Sequence, residues 1–190
     1  MDSYRTFVAI ELPPALRAKL IEHIQQLRRE APDARASWSR ENNLHLTLKF
    51  LGNVPGGEIP KLSGAIARAV TAVRPFELRV AGCGVFPPKG RPNVLWIGVM
   101  DVERELAQLY RRMEDECSHV GFPREQRSFH PHLTIARLRK HGDERRLAEV
   151  HQKLEFNNGT FSVSEVVVFK SELLPHGSKH TPISRHLLHI

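Results

Sequence analysis

Two copies of a His-apolar-Thr-apolar pattern are the part of this sequence best equipped for chemistry. The first copy is His45-Leu46-Thr47-Leu48, and the second is His132-Leu133-Thr134-Ile135. A β-strand turns alternate residues to opposite faces, so each copy would place its His beside its Thr and bury its two apolar residues. Two such strands facing each other would offer two imidazoles for proton transfer and two hydroxyls for hydrogen bonding. These groups suit displacement at an anionic phosphorus centre.

The two motif histidines stand out among the 11 histidines of the chain, most of which must be ordinary surface groups. A free imidazole titrates near pH ~6.5, so one His can be neutral while the other is protonated at physiological pH. We therefore predict that His45 and His132 are both catalytic. The same pattern predicts that the Thr47 and Thr134 hydroxyls donate hydrogen bonds to phosphoryl oxygens.

Charged residues beside the motifs are candidate substrate-binding groups. Lys49 shares the face of His45 in a regular strand, although a solvated Lys at the strand's end is an equal alternative. Strict alternation turns Arg137 away from His132, and only a twist, a bulge or a strand end would bring it back. An unpaired charge on a core face is costly, so we predict that Arg137 enters the cleft and binds substrate. His130 shares the face of His132, but Pro131 indicates a strand start or edge there.

Aromatic residues near the motifs are candidates for stacking on the bases of a nucleotide ligand. Phe50 and Phe129, which flank the two motif strands, are predicted to bind substrate in this way. Trp38 and Trp96 are further candidates. Core packing is the alternative role, and it is the expected one for most of these four side chains.

The elements that must position the motifs repeat along the chain. Apolar periodicity predicts helices over 15–29, 58–73, 102–119 and 144–154. Between them, β-rich runs predict strands over 6–12, 44–51, 76–80, 94–99, 132–137, 161–169 and 181–190. The order strand, helix, motif strand, helix, strand therefore occurs twice. This repeat predicts one domain, 1–190, made of two similar α+β lobes over about 6–80 and 94–169, with the C-terminal strand completing a sheet.

Composition limits the classes of protein that the chain can represent. It has 190 residues, of which 41% are hydrophobic and 26% charged, and a formal net charge of +7. A basic balance suits an anionic partner, and nucleic acid is the first choice. Cys83 and Cys117 form neither a disulfide framework nor a zinc motif, which favours a reduced compartment. With no signal pattern and no apolar run of about 20 residues, the sequence predicts a cytoplasmic protein without membrane contact.

Five segments together carry a resemblance to a known family. They are 6–13, 43–52, 91–96, 131–137 and 171–174, which include TFVAIELP, NLHLTLKFLG and PHLTIAR. The sequence resembles the two-histidine phosphoesterase superfamily, and specifically its RNA 2′,3′-cyclic phosphodiesterases, which were first described as 2′-5′ RNA ligases. One His-x-Thr-x pattern is weak evidence, whereas two with these flanks and this spacing are specific. The residues that follow Leu174 depart from the family pattern.

The resemblance implies a fold, a reaction and a role for each motif residue. The fold would be α+β and bilobal, with antiparallel sheets lining a central cleft and helices outside. The reaction would be hydrolysis of an RNA terminal 2′,3′-cyclic phosphate to a 2′-phosphomonoester, with no cofactor and no metal, by a protein expected to be a monomer. His45 would donate a proton to the departing 3′-oxygen, and His132 would accept a proton from water. Thr47 and Thr134 would hold the non-bridging oxygens, with Arg137 nearby.

Three other functions stay open from the sequence. Related enzymes could act on another cyclic nucleotide, on ADP-ribose cyclic phosphate or on the U-tail of an RNA, and 2′-5′ ligation could accompany hydrolysis. A non-catalytic RNA-binding module would keep the basic cleft, although intact motifs argue against it. A metal site at His45, His130 and His132 is disfavoured because no carboxylate or Cys lies beside them at ligand spacing.

Overall fold

The computed structural model of the chain describes residues 2–139, 143–175 and 177–189. Its strands form two antiparallel sheets. The first sheet has the order β3-β1-β8-β9 and consists of β1 (Ser3–Glu11), β3 (His45–Pro55), β8 (Glu165–Leu174) and β9 (Gly177–Leu187). The second has the order β2-β6-β5-β4-β7 and consists of β2 (Ala36–Trp38), β4 (Phe76–Phe86), β5 (Val94–Met100), β6 (His132–Leu138) and β7 (Asn157–Val163).

Four α-helices in the described part of the chain cover the sheets. They are α1 (Pro14–Glu30), α2 (Ile59–Val70), α3 (Glu105–His119) and α4 (Glu144–Lys153). Pro14 begins α1, where its fixed φ and missing N–H cost nothing, and Leu16, Leu20, Ile24 and Leu27 form the stripe that α1 buries. Helix α2 packs against α3, and α1 packs against α4. None of the described helices combines the length and the apolar character that a membrane span requires.

The apolar residues of both motifs point into one continuous core, as alternation predicts. Leu46 and Leu133 are fully buried, and Leu48 and Ile135 are 4% and 0% exposed. All four belong to the same cluster of buried residues. The motif side chains are therefore anchored from behind by burial of their apolar neighbours.

The predicted lobe boundaries, about 6–80 and 94–169, need correction because the two halves exchange strands. Strand β4 comes from the first half, yet it pairs with β5 and β7 in the second sheet. Strand β8 comes from the second half and pairs with β1 in the first sheet. Apolar periodicity predicts that a segment is a strand but does not identify its partner, which is why the exchange was missed. The C-terminal strand β9 does complete the first sheet, at its edge.

Smaller corrections concern element bounds. The predicted strand over 161–169 is two strands, β7 and β8, which separate at Ser164 and enter different sheets. The polar segment 33–43, which the sequence predicts to be a loop, contains β2, which pairs with β6. Residue 190, the end of the last predicted strand, lies outside the described residues.

Each motif strand carries a register shift at the same place. Along the β1–β3 ladder Val8 pairs with Lys49 and Ala9 with Thr47, so Leu48 is an extra residue. Along the β5–β6 ladder Leu95 pairs with Ala136 and Trp96 with Thr134, so Ile135 is the extra residue. Such a bulge shifts the alternation by one position for every residue that follows it.

Candidate active site

The paired motifs meet in a cleft of about 920 Å³ between the two sheets. Strand β3 brings His45 and Thr47 to it, and β6 brings His132 and Thr134. The two motif strands contact each other across the cleft. The structure thus brings together the four residues that the sequence predicts to carry the chemistry.

Each motif histidine is held by a hydrogen bond from its ring to a backbone carbonyl two residues earlier. The Nδ1 atom of His45 lies 2.7 Å from the carbonyl oxygen of Asn43, and that of His132 lies 2.7 Å from the carbonyl oxygen of His130. A carbonyl oxygen only accepts, so Nδ1 carries the hydrogen in both rings. In the neutral ring Nε2 is then the basic nitrogen, and it is the atom left for proton transfer in the cleft.

Different aromatic groups surround the two rings. The ring of His45 stacks on Phe7 with centroids 4.8 Å apart, and it meets His180 edge-on at 5.2 Å. The ring of His132 meets Phe86 edge-on at 5.0 Å and lies 6.3 Å from the indole of Trp96. These contacts fix the planes of both imidazoles, which is what directional proton transfer requires.

Trp96 can lie beside His132 only because residue 84 is a glycine. A Cβ atom on Gly84 would overlap the indole ring of Trp96. Gly84 and Trp96 are cross-strand partners in the β4–β5 ladder, so the ring lies flat over the glycine backbone. The indole therefore has a defined position beneath His132 and Phe86.

Burial and positive neighbours keep both motif histidines neutral in the free protein. Burial lowers the pKa of His45 to about 4, and the charge of His180 adds to this effect. Burial also lowers the pKa of His132, with Arg137 and His130 contributing, while its hydrogen bond to the His130 carbonyl opposes the shift. A bound phosphate would act in the opposite direction, since an adjacent anion favours imidazolium.

The cleft is strongly basic. Among the described residues, its lining includes four arginines and no aspartate or glutamate; the arginines are Arg5, Arg40, Arg137 and Arg139. Such a surface focuses a positive potential inside the cleft. The cleft therefore suits an anionic ligand.

The bulges decide which of the predicted binding residues reach the cleft. After the bulge at Ile135, Arg137 lines the cleft, as predicted for a strand that departs from strict alternation. After the equivalent bulge at Leu48, Phe50 lines the cleft and is 60% exposed, so it is placed where a base could stack. The same shift sends Lys49 to the opposite face, which corrects its predicted position beside His45.

Lys49 is instead part of a buried ion pair. Its ammonium donates to Glu114 Oε1 at 2.7 Å and to the carbonyl oxygen of Pro123 at 2.8 Å. The other carboxylate oxygen of Glu114 accepts from the backbone N–H of Glu125 at 2.9 Å. This network joins β3 to α3 and to the loop that leads toward β6.

Two further predicted residues do not line the cleft. Phe129 stacks on Tyr110 with centroids 4.1 Å apart and packs against the core, so it is not placed to bind a base. His130 contributes its carbonyl to the orientation of His132, while its exposed side chain is not part of the lining. The ligand atoms of His45, His130 and His132 do not converge on a metal position among the described residues.

The sequence did not reveal several residues of the lining, of which His180 is the most important. His180 lies on β9, and its pKa is lowered by burial and by Arg5. The sequence predicts that the last strand begins at Thr181, although it begins at Gly177, so His180 falls outside the predicted strand. Its pairing with Ser171 across the β8–β9 hairpin could have been found only from the strand register.

Asn43 ties the first motif to β9. Its carbonyl accepts from His45, and its side-chain amide donates to the carbonyl oxygen of Ser178 at 2.8 Å. On the other side of the cleft, the Ser39 hydroxyl donates to the carbonyl oxygen of Thr134 at 2.8 Å. The segment between β2 and β3, which contains Ser39 and Asn43, is thereby fixed to β6 and to β9.

Comparison with known sequences identifies relatives over nearly the whole chain. Residues 12–173 match the model of the 2′-5′ RNA ligase superfamily. A protein of Methanothermobacter thermautotrophicus named RNA 2′,3′-cyclic phosphodiesterase is 34% identical over 178 residues, covering 93% of this chain and 95% of that protein. A Thermotoga maritima protein of the same name is 33% identical over 173 residues, covering 91% and 89%.

Solved structures give the same result for the fold. A crystal structure of a Thermus thermophilus protein superposes with a TM-score of 0.81 at 27% identity, covering 97% of each chain. The crystal structure of Escherichia coli LigT complexed with 3′-AMP superposes with a TM-score of 0.75 at 26% identity, covering 98% of this chain and 99% of that one. These similarities confirm the predicted α+β architecture.

Proposed function

The chain belongs to the 2′-5′ RNA ligase superfamily, and from this membership we propose that it hydrolyses an RNA terminal 2′,3′-cyclic phosphate to a 2′-phosphomonoester. The observation that carries the proposal is the matched orientation of His45 and His132. Each ring is fixed through Nδ1 to a carbonyl two residues earlier, which leaves Nε2 for the substrate. A site with two such nitrogens can give one proton and take another in a single displacement.

In the proposed reaction, water attacks phosphorus while the bond from phosphorus to the 3′-oxygen breaks. His132 Nε2 accepts a proton from water, and protonated His45 gives its Nε2 proton to the departing 3′-oxygen. The products are a 2′-phosphomonoester and a free 3′-hydroxyl. The two histidines end with their protonation states exchanged, and solvent restores them.

The negative charge that accumulates on phosphorus needs stabilisation. The Thr47 and Thr134 hydroxyls would donate to the non-bridging oxygens, and the Arg137 guanidinium would add positive charge.

Because the two histidines supply proton transfer and the hydroxyls and Arg137 supply charge stabilisation, the proposed reaction requires no metal ion. Activity should therefore survive prolonged EDTA treatment, and rescue of a chelated, inactive enzyme by zinc or manganese would refute metal independence.

The same geometry would support ligation. If the 5′-hydroxyl of a second RNA replaced water as the nucleophile, the displacement would give a 2′-5′ phosphodiester and release the 3′-hydroxyl. Joining of a 5′-hydroxyl RNA to an RNA with a 2′,3′-cyclic phosphate end would show this reaction directly.

The proton roles can be tested with a substrate whose 3′-oxygen leaving group is replaced by sulfur. Sulfur leaves readily without protonation, so His45→Ala should be largely rescued on this substrate and His132→Ala should not. On the natural substrate each variant should lose about 10²- to 10⁴-fold in turnover. Rescue of His132→Ala alone would reverse the roles.

His189→Ala is the matched control for these variants. The Nδ1 atom of His189 lies 3.0 Å from the carbonyl oxygen of Leu187, two residues earlier, but His189 does not line the cleft. The turnover of the His189→Ala variant should equal that of the wild type.

A panel of substrates tests the choice of substrate. Hydrolysis of another cyclic nucleotide or of ADP-ribose cyclic phosphate, without hydrolysis of a cyclic-phosphate RNA, would assign a different substrate to the same chemistry.

A further inference from the structure

Three side chains that the proposed reaction does not use meet behind the second sheet. They are His23 of α1, Cys83 of β4 and His151 of α4. One ligand atom from each lies within 4.8 Å of the others. His23 and His151 are 6% and 0% exposed, and Cys83 is half-buried. None of the three lines the cleft.

Two of the three distances between these ligand atoms lie within a few tenths of an ångström of those in a metal coordination sphere. His23 Nε2 lies 3.2 Å from His151 Nδ1 and 3.9 Å from Cys83 Sγ. A tetrahedral ion with bonds of about 2.05 Å to nitrogen and about 2.3 Å to sulfur holds its ligands at about 3.3 Å (N to N) and about 3.6 Å (N to S). Shifts of a few tenths of an ångström would satisfy both of these pairs.

Hydrogen bonds outside the cluster already orient the His151 ring as a ligand. Its Nε2 atom lies 3.0 Å from the carbonyl oxygen of Trp96, which can only accept, so Nε2 carries the hydrogen. The lone pair of His151 is therefore on Nδ1 and points at His23. A ligating histidine whose other nitrogen donates to a backbone carbonyl is the usual arrangement around protein-bound metals.

In the free cluster, the hydrogen on His23 Nε2 lies between the two rings, where a metal ion would bind. Since His151 Nδ1 accepts, His23 Nε2 is the donor in the bond between the two rings. The Cys83 thiol donates to the carbonyl oxygen of Leu154 at 2.9 Å. Metal binding would move the His23 hydrogen to Nδ1 and release the Cys83 proton to solvent, so one proton leaves for each ion bound.

In the free cluster the two imidazoles are in the form that binds a metal, whereas the thiol is not. Burial lowers the pKa of His23 to about 4, with His151 contributing, and burial lowers the pKa of His151. Both imidazoles are thus neutral, which is the form that binds metals. Burial raises the pKa of Cys83 to about 11, so an ion must displace a firmly held proton, and metal affinity should rise with pH.

The donor set selects the kind of ion. A thiolate and two imidazoles suit soft, closed-shell d10 ions, whereas Mg²⁺ and Ca²⁺ require oxygen ligands. One thiolate and one monovalent ion together have no net charge, and an uncharged site costs the least free energy to bury. The charge balance therefore favours Cu(I), with Zn(II) as the divalent alternative that would add a water ligand.

We propose that His23, Cys83 and His151 form a binding site for a soft d10 metal ion that ties α1 and α4 to β4. The ion would lie directly behind Trp96, whose carbonyl orients His151 and whose indole lies beside His132. It would stabilise the sheet that carries the second motif without touching the substrate.

Metal titration of the purified, chelator-stripped protein tests the site. We expect one equivalent of Cu(I) to be withdrawn from a chromogenic copper chelator, with Zn(II) bound more weakly, and thermal unfolding to shift upward by several degrees. Cys83→Ala and His151→Gln should lose both effects. Cys117→Ala is the matched control, because Cys117 is the other free cysteine and does not belong to the group of three ligand residues.

A second measurement needs no variant and so does not depend on how the variants fold. In the wild-type chain under native conditions, bound metal should slow alkylation of the half-buried Cys83 by iodoacetamide at least tenfold. Absence of stoichiometric binding of either ion, or equal binding by Cys83→Ala, would overturn the site. Phosphodiesterase activity is a separate readout, so failure of this site would leave the proposed function intact.

Discussion

The two motif histidines have the same backbone anchor but different electrostatic surroundings. His45 lies against His180, which in turn lies near Arg5, while the charged neighbours of His132 are Arg137 and His130. Through their charge, His180, Arg137 and His130 disfavour imidazolium, whereas the His130 carbonyl favours it. A general acid must nevertheless begin its reaction protonated. The substrate's own phosphate is therefore the group that we expect to charge His45.

This dependence predicts how the pKa of His45 responds to ligand. In the free protein, NMR titration should give a pKa well below 6.5, near the value of about 4 that burial imposes. A bound 2′-phosphomonoester product should raise it by one or more units, since an anion within about 4–6 Å favours the charged ring. His180→Asn should raise the free-protein value by removing a positive neighbour. An unchanged pKa on product binding would contradict His45 as the acid.

The bulge in each motif strand shows where reasoning from the sequence succeeds and where it fails. Alternation correctly places His45, Thr47, His132 and Thr134 in one cleft, because each His-to-Thr step precedes the bulge. Beyond the bulge alternation reverses, so Lys49 was assigned to the wrong face. Bulges depend on pairing between distant strands, and one sequence gives no signal of that pairing. His180 was missed for a related reason, since it reaches the cleft only through the β8–β9 register.

The buried Lys49–Glu114 pair predicts a large difference in stability between matched variants. Their side chains are 3% and 6% exposed, so Lys49→Met would leave an uncompensated carboxylate in the core. We expect the free energy of unfolding to fall by about 3–5 kcal/mol. Lys61→Met removes an exposed pair with Glu58, 3.1 Å apart, and should cost at most about 1 kcal/mol.

Denaturant unfolding of these variants, together with the double variant Lys49→Met/Glu114→Leu, measures the effect. The double variant should recover part of the loss, but not all of it, because the Glu125 N–H would then lack its acceptor. Equal stabilities of Lys49→Met and Lys61→Met would show that the buried pair does not hold the loop before β6.

Close packing of β4 on β5 gives a second prediction at the scale of elements. Gly84→Ala would force the Trp96 indole to move, and Phe86 and His132 both lie beside that ring. Displacement of a catalytic group by about 1 Å can cost about 10²-fold in rate, so kcat should fall by roughly that factor. Gly57→Ala is the control, because its Cβ atom would meet open space. Wild-type kcat in Gly84→Ala would show that the indole does not position His132.

At the scale of the whole molecule, the net charge of +7 and the basic cleft predict salt-dependent binding of RNA. The logarithm of affinity for a longer RNA should fall linearly with the logarithm of salt concentration. A cyclic mononucleotide should show a shallower slope, since it releases fewer counterions. Arg137→Ala should reduce the slope for RNA by about 1, whereas Arg111→Ala, on the exposed side of α3, should not. If the salt dependence of affinity were equally steep for the long and the short ligand, the RNA would contact only the cleft and not the basic surface outside it.

The exchange of strands between the two sheets has a consequence for synthesis of the chain on the ribosome. Strand β1 is made long before one of its two neighbours, β8, which begins only at Glu165. Strand β4, made in the first half, must likewise wait for β5 and β7. Closing such long loops carries an entropy cost before the strands can pair, so this topology folds slowly. A half-made chain therefore exposes open strand edges, and it is during translation that this protein is most exposed to aggregation.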